Sequence, residues 1–345
     1  VDGERLRSIR KARGLSLRDL AGRVGVTPPA ILKYEKGEVN QPNHGLILRI
    51  AHALEVEFDD LLRPSTVKLS PPSFRRRASL TKKQIDTILY GAKERLEEYL
   101  DIEKLVLDSG IAPFEFPKTL NYEVGEIKDI ERVAKDLRHE WKLGLGPIGN
   151  VTEALEEKGV KICFIDGHED FDACLTWADE SIPFIICKRD IPGDRQRFNL
   201  CHELGHLILT PAEVICRKEK EEENMAYRFA GAFLVPDEVV HRELGNRRTD
   251  IHTMELQLLK EKYGLSMQGW IHRAKDLHIV SQATVVRLFR RFNKGGWHYC
   301  EPGPAYPPEQ STRMKRLVIQ AIMEQKISIS KGTDLLGEHF DPNMP

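Results

Sequence analysis

No two cysteines in this 345-residue chain stand in a Cys-x-x-Cys spacing; the six lie at 163, 174, 187, 201, 216 and 300. That pattern argues against a disulfide framework and reads as free thiols in a reducing compartment, so a cytoplasmic protein is expected. No apolar run reaches membrane-spanning length, no signal-peptide pattern opens the sequence, and no internal repeat is evident. A membrane role is therefore not expected. Net charge is also nearly lacking, at −1 from 52 basic and 53 acidic residues. What is present is length enough for two or three domains, each with ample core. One local imbalance stands out: residues 1–36 hold nine Lys/Arg against four Asp/Glu.

Within that basic stretch Leu6, Ile9, Leu15, Leu20, Val24 and Ile31 are spaced for short packed helices. Ser16 is placed to cap one helix, Gly25 to turn the chain, and Thr27 to cap the next, with Pro28 at the first helical position and Gly37 closing it. Two such helices around a glycine turn predict a helix-turn-helix. Residues 46–54 and 58–62 supply the remaining helices of a five-helix unit. The segments Arg10 to Ser16 and Tyr34-Glu35-Lys36-Gly37 resemble the Xre (lambda-repressor/Cro-like) DNA-binding domains. The resemblance implies double-stranded DNA as partner and a buried structural ion pair between Arg10 and Glu35. It maps base-facing positions onto Thr27, Pro28, Pro29 and Lys33, with Ala30 beside them. Ser16, Arg18, Lys36 and residues 40–43 are expected at the phosphates. Prolines cannot make bidentate base contacts, and Lys33 is the one long donor suited to guanine. Modest base discrimination follows, unless two copies pair as a homodimer on a two-fold site.

The densest chemistry lies at His202-Glu203-Leu204-Gly205-His206. Residues four apart share a helix face, so both imidazoles can converge on one metal, while Glu203 can reach water in an open fourth position. A core helix with two satisfied histidines is the plainer alternative. A third-histidine extension would need Gly at 209 and His at 212, where the chain has Leu209 and Ala212. A glutamate from a following helix is the other common solution. Glu223 falls near the apolar face of Ala226, Phe229, Ala230 and Phe233, and Glu222 is its near alternative. The stretch Glu223-Asn224-Met225-Ala226-Tyr227-Arg228-Phe229-Ala230 and the later Leu234-Val235-Pro236 resemble the ImmA/IrrE-type metallopeptidases over roughly residues 80–300. The resemblance makes Glu223 the third zinc ligand beside His202 and His206, makes Glu203 the catalytic base, and implies a protein substrate such as an Xre-type repressor. Tyr227 departs from the asparagine usual at its place. An edge strand, read at 182–187 ahead of the zinc helix, is expected to accept a peptide as an added strand.

Prolines at 64, 71 and 72 punctuate the chain, and Arg75, Arg76 and Arg77 add charge to that linker. The expected organisation is an Xre-type domain at 1–63, a linker at 64–80, a peptidase region at 81–300 and a helical tail at 301–345. Residues 80–107 predict a long amphipathic helix, and 160–165, 173–177 and 183–187 the strands of a small sheet. Helices are expected at 130–141, 151–158, either side of Gly264 within 256–277, at 281–292 and at 314–323. The fold class is thus multi-domain and mostly α: a five-helix helix-turn-helix unit, an α+β gluzincin-like core and a helical C-terminal region. Two functions compete. One is a DNA-binding regulator with a zinc endopeptidase domain; the other is a DNA-binding or antitoxin-like regulator whose zinc domain senses or stiffens without turnover. Glu203 favours the first, because a structural zinc needs no base.

Overall fold

Local signals account for the N-terminal helices. The computed structural model describes residues 1–39, 43–72, 80–107, 113–117, 123–124, 127–211, 219–298 and 300–337. Five helices, α1 (Gly3–Ala12), α2 (Leu17–Val24), α3 (Pro28–Glu35), α4 (His44–Leu54) and α5 (Phe58–Leu62), close around Leu6, Ile9, Leu20, Ile31 and Ile50. A reciprocal Ser16–Asp19 capping box starts α2. Gly25 ends it at φ 71°, a left-handed conformation that glycine adopts without steric cost. Thr27 stands at the N-cap of α3, yet its side chain makes no capping hydrogen bond. Pro28 and Pro29 fill the first helical positions instead, where a missing N–H costs little.

Helix α6 (Lys82–Val106), opened by a Thr81–Gln84 capping box, is shared by both halves of the molecule. Against it lies α1, whose buried Arg5 donates to Glu97 at 2.8 Å and Glu94 at 2.9 Å. Thr87 on α6 donates its hydroxyl to the Ala12 carbonyl at 2.6 Å.

Beyond α6 come β1 (Glu123–Val124), α7 (Asp129–Glu140), α8 (Val151–Glu156), β2 (Lys161–Ile165), β3 (Ala173–Ala178), β4 (Ile182–Lys188) and α9 (Gly193–Ile208). There follow β5 (Thr210–Pro211), α10 (Glu219–Leu234), α11 (Asp237–Leu244), α12 (Thr253–Tyr263), α13 (Met267–Asp276), α14 (Gln282–Gly295), α15 (Arg313–Met323) and α16 (Ile329–Leu336). Helices α11 and α16 were not anticipated by the sequence pattern. Strands β1 and β5 form a two-residue parallel pair. The main sheet has the order β2-β4-β3, with β2 parallel and β3 antiparallel to β4. One face, with Ile162, Leu175 and Ile185, packs on α7 to α10. The other, with Cys163, Cys174 and Ile186, packs on α6 and α15.

This order corrects one expectation. The strand just ahead of α9 is β4, and it is central, with partners on both sides, so it has no edge to offer a peptide. The antiparallel edge is β3. In the β3–β4 register Lys188 N–H donates to the Asp172 carbonyl, and pairs alternate from there. Pro183, opposite Trp177, falls at a position where that ladder needs no donor.

The segment after α14 also bears on the core. Glu309, buried, accepts from Arg197 of α9 at 2.6 Å and from the Thr152 N–H of α8 at 2.8 Å, locking the C-terminal strap to the helix of the HExxH motif. Architecturally the chain is a mostly helical, multi-domain protein with a small three-stranded sheet.

Candidate functional site

Helix α9 carries His202 and His206 one turn apart, with Glu203 next to the first, and α10 crosses it with Glu223. The close crossing depends on Gly205. A Cβ there would meet the Ala226 Cα at 3.1 Å and the Phe229 ring at 3.2 Å, so a larger residue would push α10 outward. Two buried guanidiniums hold the far end of α10. Arg138 donates to the Phe233 carbonyl at 2.6 Å, and Arg273 to the Val235 carbonyl at 3.2 Å, where the helix presents negative dipole and unsatisfied carbonyls.

Three side chains converge. His202 Nε2 and His206 Nε2 are 3.2 Å apart, and they lie 3.4 and 3.2 Å from the Glu223 carboxylate oxygens. Ligands about 2.0–2.1 Å from a tetrahedral ion stand about 3.3 Å from one another. The observed edges therefore match a metal polyhedron. Among the described residues this trio forms the one His/Cys/Asp/Glu group close enough to hold a metal ion. Glu223, not Glu222, joins the histidines. Burial alone would raise the Glu223 carboxyl, but the hydrogen bonds and charge of His202 and His206 outweigh it and hold it well below the usual range.

Glu203 is buried beside them, with Oε2 lacking a hydrogen-bond partner among the described residues. Burial pushes its carboxyl up, and Glu223 adds to this, whereas the two histidines and the Leu175 backbone N–H pull it down. That N–H belongs to the edge strand β3, so the candidate base sits at the rim of the sheet. Nothing in the sequence signals this contact, because a backbone donor leaves no residue signature. Cys201, next to the first histidine, is buried in the core and its thiol is pushed up to about 12 by burial. It takes no part in the trio. Among the described residues the cysteines at 163, 174, 187, 201 and 300 are all unpaired.

The Tyr227 ring packs against His202, with centroids 4.3 Å apart, and stacks on Phe198 at 6.0 Å. Beside it opens a cleft of about 620 Å³ lined by Phe198, Asn224, Tyr227, Arg228, His272 and Lys275. In the sequence Tyr227 stands out only as a departure from pattern; its place as a wall of the site comes from packing.

In the N-terminal unit Arg10 and Glu35 form a buried bidentate pair, with Nε–Oε1 at 2.5 Å and Nη2–Oε2 at 3.0 Å. Arg5 and Arg10 are thus occupied internally, which removes two of the nine cations from any phosphate surface. Ser16, Arg18, Thr27, Pro29, Lys33 and Lys36 are exposed, with Pro28 and Ala30 half-buried among them. With α6 packed on α1, the face of α3 stays open. Residues 40–42, and Arg75, Arg76 and Arg77, lie outside the described residues. No described helix is long and apolar enough to cross a membrane.

Comparison with known proteins agrees with both halves. The helix-turn-helix family model matches residues 6–61. The model of the IrrE N-terminal-like domain, a peptidase family, matches residues 155–275. The chain is also 38% identical over 72 residues to a protein of Pyrobaculum aerophilum described as an HTH-type transcriptional regulatory protein. That match covers 21% of this chain and 27% of the relative, so the chain spans about a quarter of the relative's length. The chain therefore carries a helix-turn-helix domain of the Xre-like kind, followed by an IrrE N-terminal-like peptidase-family domain.

Proposed function

We propose that this chain is a DNA-binding transcriptional regulator whose second domain is a zinc-dependent endopeptidase acting on a protein, such as an Xre-type repressor. The observation that carries the reading is the convergence of His202, His206 and Glu223 at 3.2–3.4 Å with Glu203 buried beside them. These residues would hold zinc, and the bound ion supplies a Lewis acid and lowers the pKa of water in its open position. Two imidazoles and a carboxylate are an ordinary donor set for a catalytic zinc.

The chain's own groups do the rest. Glu203 takes a proton from the attacking water on Oε2 and later delivers it to the departing amine. The Leu175 N–H beside that carboxylate favours its charged form. Outward-facing backbone of β3 pairs with an extended substrate, placing a peptide bond over the trio. Phe198 and Tyr227 wall off the cleft and take an adjacent side chain. The helix-turn-helix domain, through Lys33, Lys36 and the exposed start of α3, brings the chain to duplex DNA where repressors reside.

Metal analysis paired with cleavage tests the reading. The purified chain should hold about one zinc, and Glu223→Gln should weaken it at least about tenfold, whereas Glu222→Gln should not. Xre-type repressors should be cut by the zinc-loaded chain and left intact after chelation. Zinc retention without cleavage of any repressor would favour a regulator with a non-hydrolytic metal domain.

A further inference from the structure

The outer edge of β3 is already partly paired. Leaving α5, the chain runs as an extended segment, and Leu69 stands antiparallel to Ala178. Ser70 N–H donates to the Trp177 carbonyl at 2.8 Å, and Asp179 N–H to the Lys68 carbonyl at 2.9 Å. Lys68 N–H reaches the Asp179 side chain at 2.9 Å, and Thr176 Oγ1 donates to the Ser70 carbonyl at 2.8 Å. Antiparallel ladders bond at alternate residues, so the next bonded pair in register would be Pro72 opposite Leu175. Proline has no N–H to give, so among the described residues the backbone bonds of this added strand are those of Lys68 and Ser70. Leu175 is the β3 residue whose backbone lies beside Glu203.

The same segment is tied to the DNA-binding domain. Glu97 of α6 is buried, and its Oε1 accepts the N–H groups of Thr66 at 3.0 Å and Val67 at 3.4 Å and the Ser65 hydroxyl at 3.2 Å. Its Oε2 accepts from Arg5 of α1. Asp2, at the start of α1, accepts the Ser65 N–H at 3.1 Å. One carboxylate thus anchors both the linker and the first helix of the DNA-binding unit.

We propose that residues 68–70 are a resident competitor for the peptide edge, covering β3 beside the candidate active site and held down by the Glu97 that also anchors α1. The inference rests on the reading of β3 as the peptide-accepting edge. A substrate strand that pairs beyond Leu175 must displace Lys68–Ser70, and a shift of α1 against α6 loosens the carboxylate that keeps them seated. Such a tethered occupant acts at an effective concentration on the order of millimolar, so it screens out weak strands and yields to well-fitted ones.

Hydrogen–deuterium exchange on the full chain tests this without any need for turnover, so loss of the peptidase reading would not obscure the result. Ser70→Pro removes one strand donor and leaves Glu97 untouched. The Asp179 amide, whose own acceptor is the Lys68 carbonyl, should then exchange about tenfold faster, while amides of β4 and α9 stay unchanged. A synthetic peptide of residues 65–72, added at several times the on-the-order-of-millimolar tether concentration, should restore slow exchange in the variant and leave the wild type as it was. Glu97→Gln should quicken Asp179 as well. Unchanged Asp179 exchange in Ser70→Pro, or no restoration by the peptide, would overturn the competitor. A still-protected Asp179 in Glu97→Gln would overturn its tie to α1.

Discussion

Glu156 shows how a single buried group imprints on the whole chain. It is almost fully buried under the C-terminal strap, accepts the Ser311 hydroxyl, and burial pushes its carboxyl up to about 7 from an ordinary 4.5. An acid raised in the folded state binds more protons there than in the unfolded chain. Its stabilising contribution is therefore present below pH 4.5 and is lost as pH rises through about 7, a swing of roughly 3 kcal/mol. Glu156→Gln should flatten that decline in thermal or urea unfolding between pH 5 and 8 and should stabilise the chain at pH 8. A variant whose stability still falls over that window by the wild-type amount would contradict this assignment. At the same scale, His202, Glu203 and His206 were legible in sequence because spacing along one helix dictates a shared face. Glu223 needed the apolar register of a second helix to separate it from Glu222. The Leu175 N–H and the Tyr227 ring were not legible, because each reaches the site through non-local packing.

Among elements, the α9–α10 crossing sets the spacing of His202, His206 and Glu223. Gly205→Ala places a methyl 3.1 Å from the Ala226 backbone, so α10 must yield by a few tenths of an ångström and carry Glu223 with it. Zinc affinity should fall about three- to tenfold by competition with a chromogenic chelator, with helix content unchanged in circular dichroism. Wild-type affinity in this variant would mean that the crossing is looser than the contacts imply. Helices with clear caps, such as α2 and α6, could be placed from sequence to within a residue or two. Strand order could not. The 182–187 run is apolar throughout, the mark of a strand buried on both faces, yet which strand lies at the edge depends on partners from elsewhere in the chain. Helix α11 follows directly on Pro236, and it and α16 are each only eight residues long, so neither stands out from its surroundings.

For the whole molecule, α6 joins the helix-turn-helix unit to the peptidase-family domain. Its middle receives α1 through Arg5, and its other face completes the core beneath the sheet. The DNA-binding unit leans on this contact, so binding is best measured on the full chain. In fluorescence anisotropy the chain should bind duplex DNA with strong salt dependence. Lys33→Ala should narrow the gap between preferred and random sequence, since Lys33 is the exposed long donor among the mapped base-facing positions. Lys36→Ala should instead weaken all sequences alike and flatten the salt slope by about one unit. A preferred site with half-sites about one helical turn apart would identify a dimer as the binding form. Equal losses from both variants on every sequence would instead place Lys33 at the backbone.

The most direct test of the central claim compares the wild type with Glu203→Gln, both loaded with zinc and assayed on the same repressor. The amide keeps the shape of the buried side chain but cannot accept the proton of the attacking water. Zinc content and DNA affinity should match the wild type, while cleavage should slow about 10²- to 10⁴-fold. Cleavage by Glu203→Gln at the wild-type rate would contradict the assignment of Glu203 as the base, and with it the peptidase mechanism.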